Sequence, residues 1–534
     1  MSTEDINKVV VTLKKGVDVD AFIDEMVSIG NRTDFVPSRA VELYNEKPES
    51  LRNVDFVMTR EEAFVLENDP RVEAVRFGSK QENGLIKTPF SLDESRLYRR
   101  VSSSDWASGN VDMNWGMACT INTTNPYNTL TPQLNLQLPF TATGNGVDFV
   151  VQDSGLQVNH PEFTDSLGIS RVQQVNWYTL TGYIGTMPAN FYTDADGHGT
   201  HVCGSAAGKT YGWAREASIY VMNILGVNAN STISDTLSFN MLRQWHTNKS
   251  ITSTGYKRPT VVNMSWGYTG PTNSISGGVY RGTPWTGSGA QPQYGVVNPL
   301  GQGTPVLVAS VEADVEDCLD AGVILIAAAG NSSYKIDIPG GVDYDNTIKL
   351  GSAFYYYMRG TTPNCDPRVI RVGAVSDSRD FGGISGAEGK TTFSNTGPGV
   401  GIYVGGAAIV SSYSNVYTAG DVRNYPYNSS FKSAKISGTS MASPQVAGIV
   451  CLLMQARPWY NMERIQNWIY GSAIENRLTT AGSGYTDYFS LQGGPNRYLY
   501  YPWSSGTYPT VIQHTIPAKI DEGPEYTAVL HGRL

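Results

Sequence analysis

The sequence predicts an α/β fold with a mainly parallel sheet and helices on both faces, preceded by a small α+β domain. Three apolar runs predict buried strands of such a sheet, at Gly146–Val151, Val261–Gly267 and Val323–Ala329. A predicted helix at Val311–Leu319 precedes the third strand, and the apolar run Val446–Met454 predicts a buried helix. Because open α/β sheets place their sites at the carboxyl ends of the strands, we expect functional side chains there.

The composition argues against several classes of protein. A chain of 534 residues can hold one large core with smaller units beside it. The net charge of −9 argues against nucleic-acid binding that depends on overall charge, and no apolar stretch is long enough to span a bilayer. The five cysteines are scattered and odd in number, so we expect mostly free thiols. The N-terminus lacks the character of a secretory signal, which favours a cytoplasmic or virion-associated protein over classical secretion.

Residues 1–78 are expected to form a separate small domain. Strands are predicted at Lys8–Leu13, near Val41–Tyr44, at Val54–Met58 and at Val72–Phe77. One helix is predicted over Val19–Ile29, with Phe22, Met26 and Ile29 on one face, and a second follows the capping box Thr59–Glu62. The order β-α-β-β-α-β is that of a ferredoxin-like domain.

The remaining chain divides into three parts. Residues 79–112 are polar and without periodicity, which predicts a linker. This linker contains Arg96–Arg100, which is either a processing region or a solvated basic patch. A large domain is expected over residues 113–504, with a C-terminal extension at 505–534.

Three polar residues have surroundings suited to nucleophilic catalysis. Ser440 lies among small residues before the apolar helix, so a substrate backbone can approach its hydroxyl, and the helix start supplies N–H donors. A serine hydroxyl also needs a base and a group that orients the base. The sequence offers His198 and Asp153 for these roles, and Asp153 follows the buried strand Gly146–Val151.

The motifs around these residues resemble those of the subtilisin-type serine proteases, the subtilases, and in particular the proteinase-K-like members. The resemblance is carried by VVQDSG (150–155), DGHGTHVCG (196–204) and GTSMASPQVAG (438–448). The order Asp, His, Ser is that of subtilisin and differs from the chymotrypsin and α/β-hydrolase orders. The resemblance implies a subtilisin-like fold and a serine endopeptidase that acts through an acyl-enzyme, with Asp153, His198 and Ser440 as its triad.

The resemblance also implies the remainder of the site. The sequence AAAGN, which ends in Asn331, resembles the family's oxyanion element, whose amide donates to the developing oxyanion. The segment Ser265, Trp266 and Gly267 resembles the strand that pairs with bound substrate, where Trp266 either narrows a subsite or packs in the core. Ala328, Ala329 and Gly330 would wall the pocket for the side chain before the scissile bond. These small residues leave room for large apolar or aromatic side chains.

Residues 1–78 resemble the propeptide domain of many subtilases. This resemblance implies that the domain inhibits the enzyme and that the first cut falls within residues 77–112. An unrelated adaptor with the same fold is the alternative. The expected partners are therefore protein or peptide substrates and the chain's own N-terminal domain.

No cofactor is expected for the chemistry, whereas structural calcium is common in the family. The Gly-, Pro-, Ser- and Thr-rich insertion at 268–308 is either a lid or an interaction loop, and with the C-terminal tail it is a candidate contact for an assembly partner.

The sequence leaves two other functions open. A structural or assembly protein, for instance of a virus particle, could keep this fold with activity limited to self-cleavage, although an inert scaffold would not need Asp153, His198, Asn331 and Ser440. An esterase of the α/β-hydrolase type is disfavoured by the residue order and by Ala442, where that family has glycine.

Overall fold

The structure, a computed structural model, describes residues 7–28, 33, 35–44, 50–77, 84–90, 114–124, 142–225, 232–376, 388–415, 421–480 and 490–501. Its N-terminal part is a four-stranded antiparallel sheet with two helices. The strands are Asn7–Leu13 (β1), Glu42–Leu43 (β2), Asn53–Met58 (β3) and Val72–Phe77 (β4), in the spatial order β2-β3-β1-β4. The helices are Val19–Val27 (α1) and Arg60–Leu66 (α2).

The N-terminal domain has a core of its own. Phe22 and Met26 of α1 pack with Phe56 of β3, and each of these side chains is fully buried. Helix α2 starts at the expected capping box, in which the Thr59 and Glu62 side chains each accept a backbone N–H of the other residue. The element order agrees with the ferredoxin-like prediction, while Ile29 lies outside the described residues.

A strand was missed in the predicted linker. Ile86–Pro89 (β5) pairs antiparallel with Trp266–Gly270 (β9), and β9 also pairs with Thr304–Pro305 (β12). Composition gave no sign of β5, because the strand is formed by pairing with a segment far away in the sequence. The C-terminal extension 505–534 lies outside the described residues.

The large domain is built on a parallel sheet. In spatial order its parallel strands are Ser218–Asn223 (β7), Asp148–Asp153 (β6), Thr260–Met264 (β8), Ile324–Ala328 (β13), Ile370–Ser376 (β16), Ile402–Gly405 (β18) and Arg497–Tyr498 (β23). Two short antiparallel strands complete it, Gly389–Lys390 (β17) beside β16 and Ile474–Glu475 (β22) beside β23. The carboxyl ends of β6, β8 and β13 lie at one edge of this sheet, next to one another.

Helices cover this sheet. They are Trp115–Thr120 (α3), Trp177–Thr181 (α4), His198–Ala207 (α5), Asp235–Asn248 (α6), Ala309–Asp320 (α7), Thr439–Ala456 (α8) and Met462–Ser472 (α9). Helix α8 is buried from Thr439 to Met454 and packs against α5 and the central strands β8, β13 and β16. The predicted α/β architecture with a mainly parallel sheet is confirmed.

The 268–308 insertion is more regular than its composition suggested. Besides β9 and β12, it contributes Ile275–Tyr280 (β10) and Thr283–Thr286 (β11) to a second sheet with Thr347–Leu350 (β14) and Ala353–Tyr356 (β15). A third small sheet joins Ile409–Tyr413 (β19), Asp421–Tyr425 (β20) and Asn428–Ile436 (β21). None of the helices in the described part of the chain combines the length and hydrophobicity needed to cross a membrane.

Candidate active site

Asp153 and His198 meet at the carboxyl edge of the sheet. Asp153 is the last residue of β6, and His198 is the first residue of α5. The His198 Nδ1 atom lies 2.7 Å from Oδ1 of Asp153, and both side chains are buried. Because a carboxylate only accepts, Nδ1 carries the proton, and Nε2 is left as an acceptor. Nε2 is buried and has no hydrogen-bond partner among the described residues.

Gly197 sets the start of α5 and therefore the position of His198. Its φ of 92° lies in the left-handed region, which favours glycine. A Cβ atom on this residue would also lie 2.5 Å from the ring of Tyr413, so no larger residue fits without a shift.

Nearby carboxylates control the charge of His198. Burial alone would lower the pKa of this imidazole, but the carboxylates of Asp153, Asp196 and Asp194 outweigh it and raise the pKa above its ordinary value. Asp194 is fixed by hydrogen bonds from the Thr200 hydroxyl at 2.6 Å and from the Gly197 N–H at 2.8 Å. The site therefore favours the imidazolium that general-base catalysis forms.

Ser440 lies in the first turn of α8, at the positive end of the helix dipole. Its hydroxyl donates to the carbonyl oxygen of Ser265 at 2.9 Å. Pro444 has no N–H for the Ser440 carbonyl, and the Ser265 hydroxyl donates to that carbonyl at 3.2 Å instead. The end of β8 and the start of α8 are thus tied together at the candidate nucleophile.

Asn331 is oriented by its own amide oxygen. That oxygen accepts from the Thr439 N–H at 3.0 Å and from the Thr439 hydroxyl at 2.9 Å. The amide nitrogen therefore faces the other way and donates to the carbonyl oxygen of Phe90 at 2.8 Å. The Ser440 N–H donates to the same oxygen at 3.4 Å. Two donors from different elements thus converge on one peptide carbonyl, as in an oxyanion hole.

Residues 84–90 of the chain lie along β9 and reach Asn331 and Ser440. The space that they fill between these elements is called the cleft below. Strand β5 pairs with β9 in an antiparallel register that sets Thr88 opposite Gly267 and Pro89 opposite Trp266. The Phe90 N–H continues the ladder by donating to the Ser265 carbonyl at 2.9 Å. The segment therefore binds as an added strand that ends with the Phe90 carbonyl between Asn331 and Ser440.

Phe90 is 5% exposed, and its ring fills a tight pocket. A Cβ atom on Gly267 would lie 2.3 Å from Cζ of this ring and 3.0 Å from the Thr361 hydroxyl oxygen. Ala328, Ala329 and Gly330 follow one another in a buried run, and a Cβ atom on Gly330 would lie 3.5 Å from the Thr361 methyl group. No sequence pattern selects Phe90 or Thr361, since only the fold brings them to Gly267.

Several residues near the site make contacts that stabilise the fold. Trp266 is fully buried, packs near Phe239, and donates from its indole nitrogen to the Gln152 side chain at 3.2 Å. His201 bonds through Nε2 to the Ile409 carbonyl at 3.0 Å. All five cysteines are buried free thiols. Arg96–Arg100, the candidate processing region, lies outside the described residues.

The N-terminal domain contacts helix α7 of the large domain. The Arg52 side chain is 7% exposed, and its guanidinium donates to the Ala313 carbonyl at 2.9 Å and to the Glu316 carboxylate at 2.6 Å. The Ser50 hydroxyl donates to Asp314 at 2.6 Å. These bonds hold the N-terminal domain beside the cleft that its continuation β5 enters.

Acidic side chains are the candidate ligands for the structural calcium that the family resemblance implied. In the described residues, no group of three or more His, Cys, Asp or Glu side chains is placed to hold a metal ion. The buried carboxylates of Asp337 and Asp343 share Lys335, at 3.3 and 2.7 Å, and Asp343 also pairs with Arg281 at 2.7 Å. Cationic side chains thus neutralise this pair of carboxylates.

Comparison with known proteins identifies the family. Residues 144–495 match the Subtilase family, which is more than half of the chain. The chain therefore belongs to the subtilases, a family of serine endopeptidases, as its motifs predicted.

Individual relatives are distant. The chain is similar to an extracellular serine proteinase of Thermus sp. (strain Rt41A), with 24% identity over 454 residues, 85% of this chain and 76% of the relative. It is also similar to the subtilisin-like protease PopC of Myxococcus xanthus (strain DK1622), with 27% identity over 338 residues, 62% of this chain and 56% of the relative.

Two solved structures resemble the chain. One is a cold adapted subtilisin-like serine proteinase, with a TM-score of 0.45, 22% identity, and coverage of 73% of this chain and 98% of that chain. The other is fervidolysin from Fervidobacterium pennivorans, a keratinolytic enzyme related to subtilisin, with a TM-score of 0.49, 16% identity, and coverage of 92% of this chain and 60% of that chain.

Proposed function

We propose that this subtilase cleaves itself first, at the bond between Phe90 and Ser91, through a triad of Asp153, His198 and Ser440. The single observation that supports the proposal is the Phe90 carbonyl oxygen, which accepts hydrogen bonds from Asn331 and from the Ser440 N–H. A bound peptide with its carbonyl between two such donors is positioned as a substrate.

The proposed reaction begins with a rotation of the Ser440 side chain, whose hydroxyl contacts the Ser265 carbonyl and not His198 in the structure. Its hydroxyl leaves the Ser265 carbonyl and donates to Nε2 of His198, the acceptor left free by the Asp153 hydrogen bond. His198 takes the proton while the oxygen attacks the Phe90 carbonyl carbon. Asn331 and the Ser440 N–H stabilise the oxyanion. The imidazolium then protonates the amine of Ser91 as it leaves, and water hydrolyses the acyl-enzyme by the reverse sequence of proton transfers.

The same arrangement supports an inhibitory role for residues 1–78. Tethering makes the encounter between β5 and the cleft intramolecular, at a high effective concentration. After the cut, β5 stays paired with β9 and the domain stays bound to α7 through Arg52 and Ser50. The N-terminal product therefore blocks the cleft until it dissociates or is degraded.

The proposed substrates in trans are proteins with a large apolar or aromatic side chain before the scissile bond. This preference is supported by the buried Phe90 ring against Gly267. Main-chain pairing with β9 adds affinity that does not depend on sequence.

The triad is tested by turnover of a peptide substrate and by labelling with a serine-directed fluorophosphonate. Ser440→Ala and His198→Ala should each lower kcat by about 10⁶, and the double variant little further, because the residues act as one unit. Ser440→Ala should also abolish labelling. Additive losses, or a Ser440→Ala protein as active as the wild type, would refute the triad.

A further inference from the structure

An ion pair joins the bound strand β5 to the large domain, away from the bond that is proposed to be cut. Lys87 of β5 stands opposite Tyr268 of β9, three residues before Phe90. Its ammonium group lies 3.8 Å from Oδ2 of Asp235 and 5.7 Å from the centre of the Trp266 ring. The Lys87 side chain is only 22% exposed, so this contact is largely removed from water.

Asp235 is held in place by the large domain itself. It is the first residue of α6, where the helix dipole favours a negative charge. Oδ2 accepts the Tyr268 hydroxyl at 2.5 Å, Oδ1 accepts the Thr236 N–H at 3.1 Å, and the residue is 8% exposed. Burial opposes ionisation, but Lys87, the Tyr268 hydroxyl and Arg76 outweigh it and hold the pKa of Asp235 below its ordinary value.

Among the described residues, the two cations that most lower the pKa of Asp235 are Lys87 and Arg76, and both belong to the N-terminal segment. They leave with that segment when it dissociates. Asp235 then keeps the Tyr268 hydroxyl and the Thr236 N–H, neither of which carries a charge. A buried carboxylate in this state gains from a new cationic partner.

We propose that Asp235, together with Tyr268 and Trp266, selects substrates with lysine or arginine at the fourth residue before the scissile bond. This inference rests on the proposed function and narrows its substrate class. The selected peptides carry a basic residue, two intervening residues and a large apolar residue before the cut, as in Lys87-Thr88-Pro89-Phe90. The cation of the basic side chain pairs with Asp235 and faces the Trp266 ring, as the Lys87 ammonium group does.

The test compares the hydrolysis of fluorescence-quenched peptides that contain Ile-Lys-Thr-Pro-Phe-Ser and differ only at the lysine. Norleucine keeps the aliphatic chain without the charge, and glutamate reverses the charge. With the purified full-length chain, after incubation to allow processing, kcat/KM for lysine should exceed that for norleucine about tenfold, and glutamate should be worse still. The ratio should fall as salt is added, since salt screens the ion pair.

The matched variants are Asp235→Asn and, as a control, Glu475→Gln. Asparagine keeps an acceptor for Tyr268 but removes the charge, so the lysine-to-norleucine ratio should approach one. Helix α6, which begins at Asp235, follows β7 in the chain. Glu475 lies on β22, at the opposite edge of the sheet from β7, so its replacement should leave the ratio unchanged.

The outcomes separate this inference from the proposed function. Equal hydrolysis of the lysine and norleucine peptides by the wild-type protein would overturn the subsite while the protease remains. A ratio that Asp235→Asn leaves intact would also overturn it. If the purified chain is not cut after Phe90 and also hydrolyses no peptide, the proposed function fails and the subsite fails with it.

Discussion

Replacement of Gly267 by alanine should switch the enzyme away from aromatic substrates. The added Cβ atom would lie 2.3 Å from Cζ and 2.9 Å from Cε2 of the Phe90 ring. Because carbon atoms in contact stand roughly 3.5 Å apart, the ring has to move by about 1 Å. The ring is already buried, so the displacement passes to the Phe90 backbone and its carbonyl.

The size of the expected loss in kcat/KM follows from the two hydrogen-bond donors of the Phe90 carbonyl. Asn331 and the Ser440 N–H hold it at 2.8 and 3.4 Å, and a misplacement of about 1 Å can cost 10²-fold in rate. We therefore expect kcat/KM for a peptide with Phe before the scissile bond to fall about 100-fold. An otherwise identical peptide with Ala at that position does not reach the new methyl group and should be cleaved as before. The assay is hydrolysis of this pair of peptides.

The control is Gly471→Ala in helix α9, where a Cβ atom would meet nothing within 4 Å. Both peptides should be cleaved by this variant as by the wild type. Thermal unfolding shows whether each variant is folded. A folded Gly267→Ala protein with an unchanged Phe-to-Ala ratio would refute the assignment of this pocket.

Two further predictions concern pH and inhibition. Only neutral His198 accepts the proton of the nucleophile, so kcat/KM should rise with pH through the pKa of His198. Asp196→Asn removes a charge that raises this pKa and should move the acid limb of the pH–rate profile to lower pH; an unmoved limb contradicts the electrostatic account. The Arg52 guanidinium lies 3.4 Å from the buried Asp317 carboxylate and also pairs with Glu316. Arg52→Ala removes this cationic partner from both carboxylates. The variant fragment 1–90 should inhibit processed enzyme at least about tenfold more weakly than the wild-type fragment, and equal inhibition constants would contradict this.

The sequence predicted those parts of the site that depend on local patterns. Asp153 was recognisable because a buried strand ends there, and Ser440 because small residues precede an apolar helix. His198 and Asn331 were recognisable because their motifs are short and local. In each case the residues that define the position lie within a few places of it in the chain.

The contents of the cleft depend on long-range pairing and could not be predicted in this way. Phe90 stands in a polar stretch, and its role depends on the pairing of β5 with β9 far along the chain. Thr361 and Asp235 reach the cleft from loops and helix ends with no distinctive motif. The sequence analysis predicted only that the main chain of Gly267 pairs with substrate. The structure adds that the absence of a Cβ atom at this position makes room for the Phe90 ring.

The most direct test of the central claim is the position of the first cut. Intact-mass analysis of the purified chain after incubation should show the wild-type protein divided after Phe90, with Ser91 as the new N-terminus. Ser440→Ala, incubated alone, should stay whole because β5 lies in a cleft without a nucleophile. A first cut elsewhere, such as within Arg96–Arg100, or a Ser440→Ala protein cut as readily as the wild type, would contradict the claim that residues 84–90 are the enzyme's first substrate.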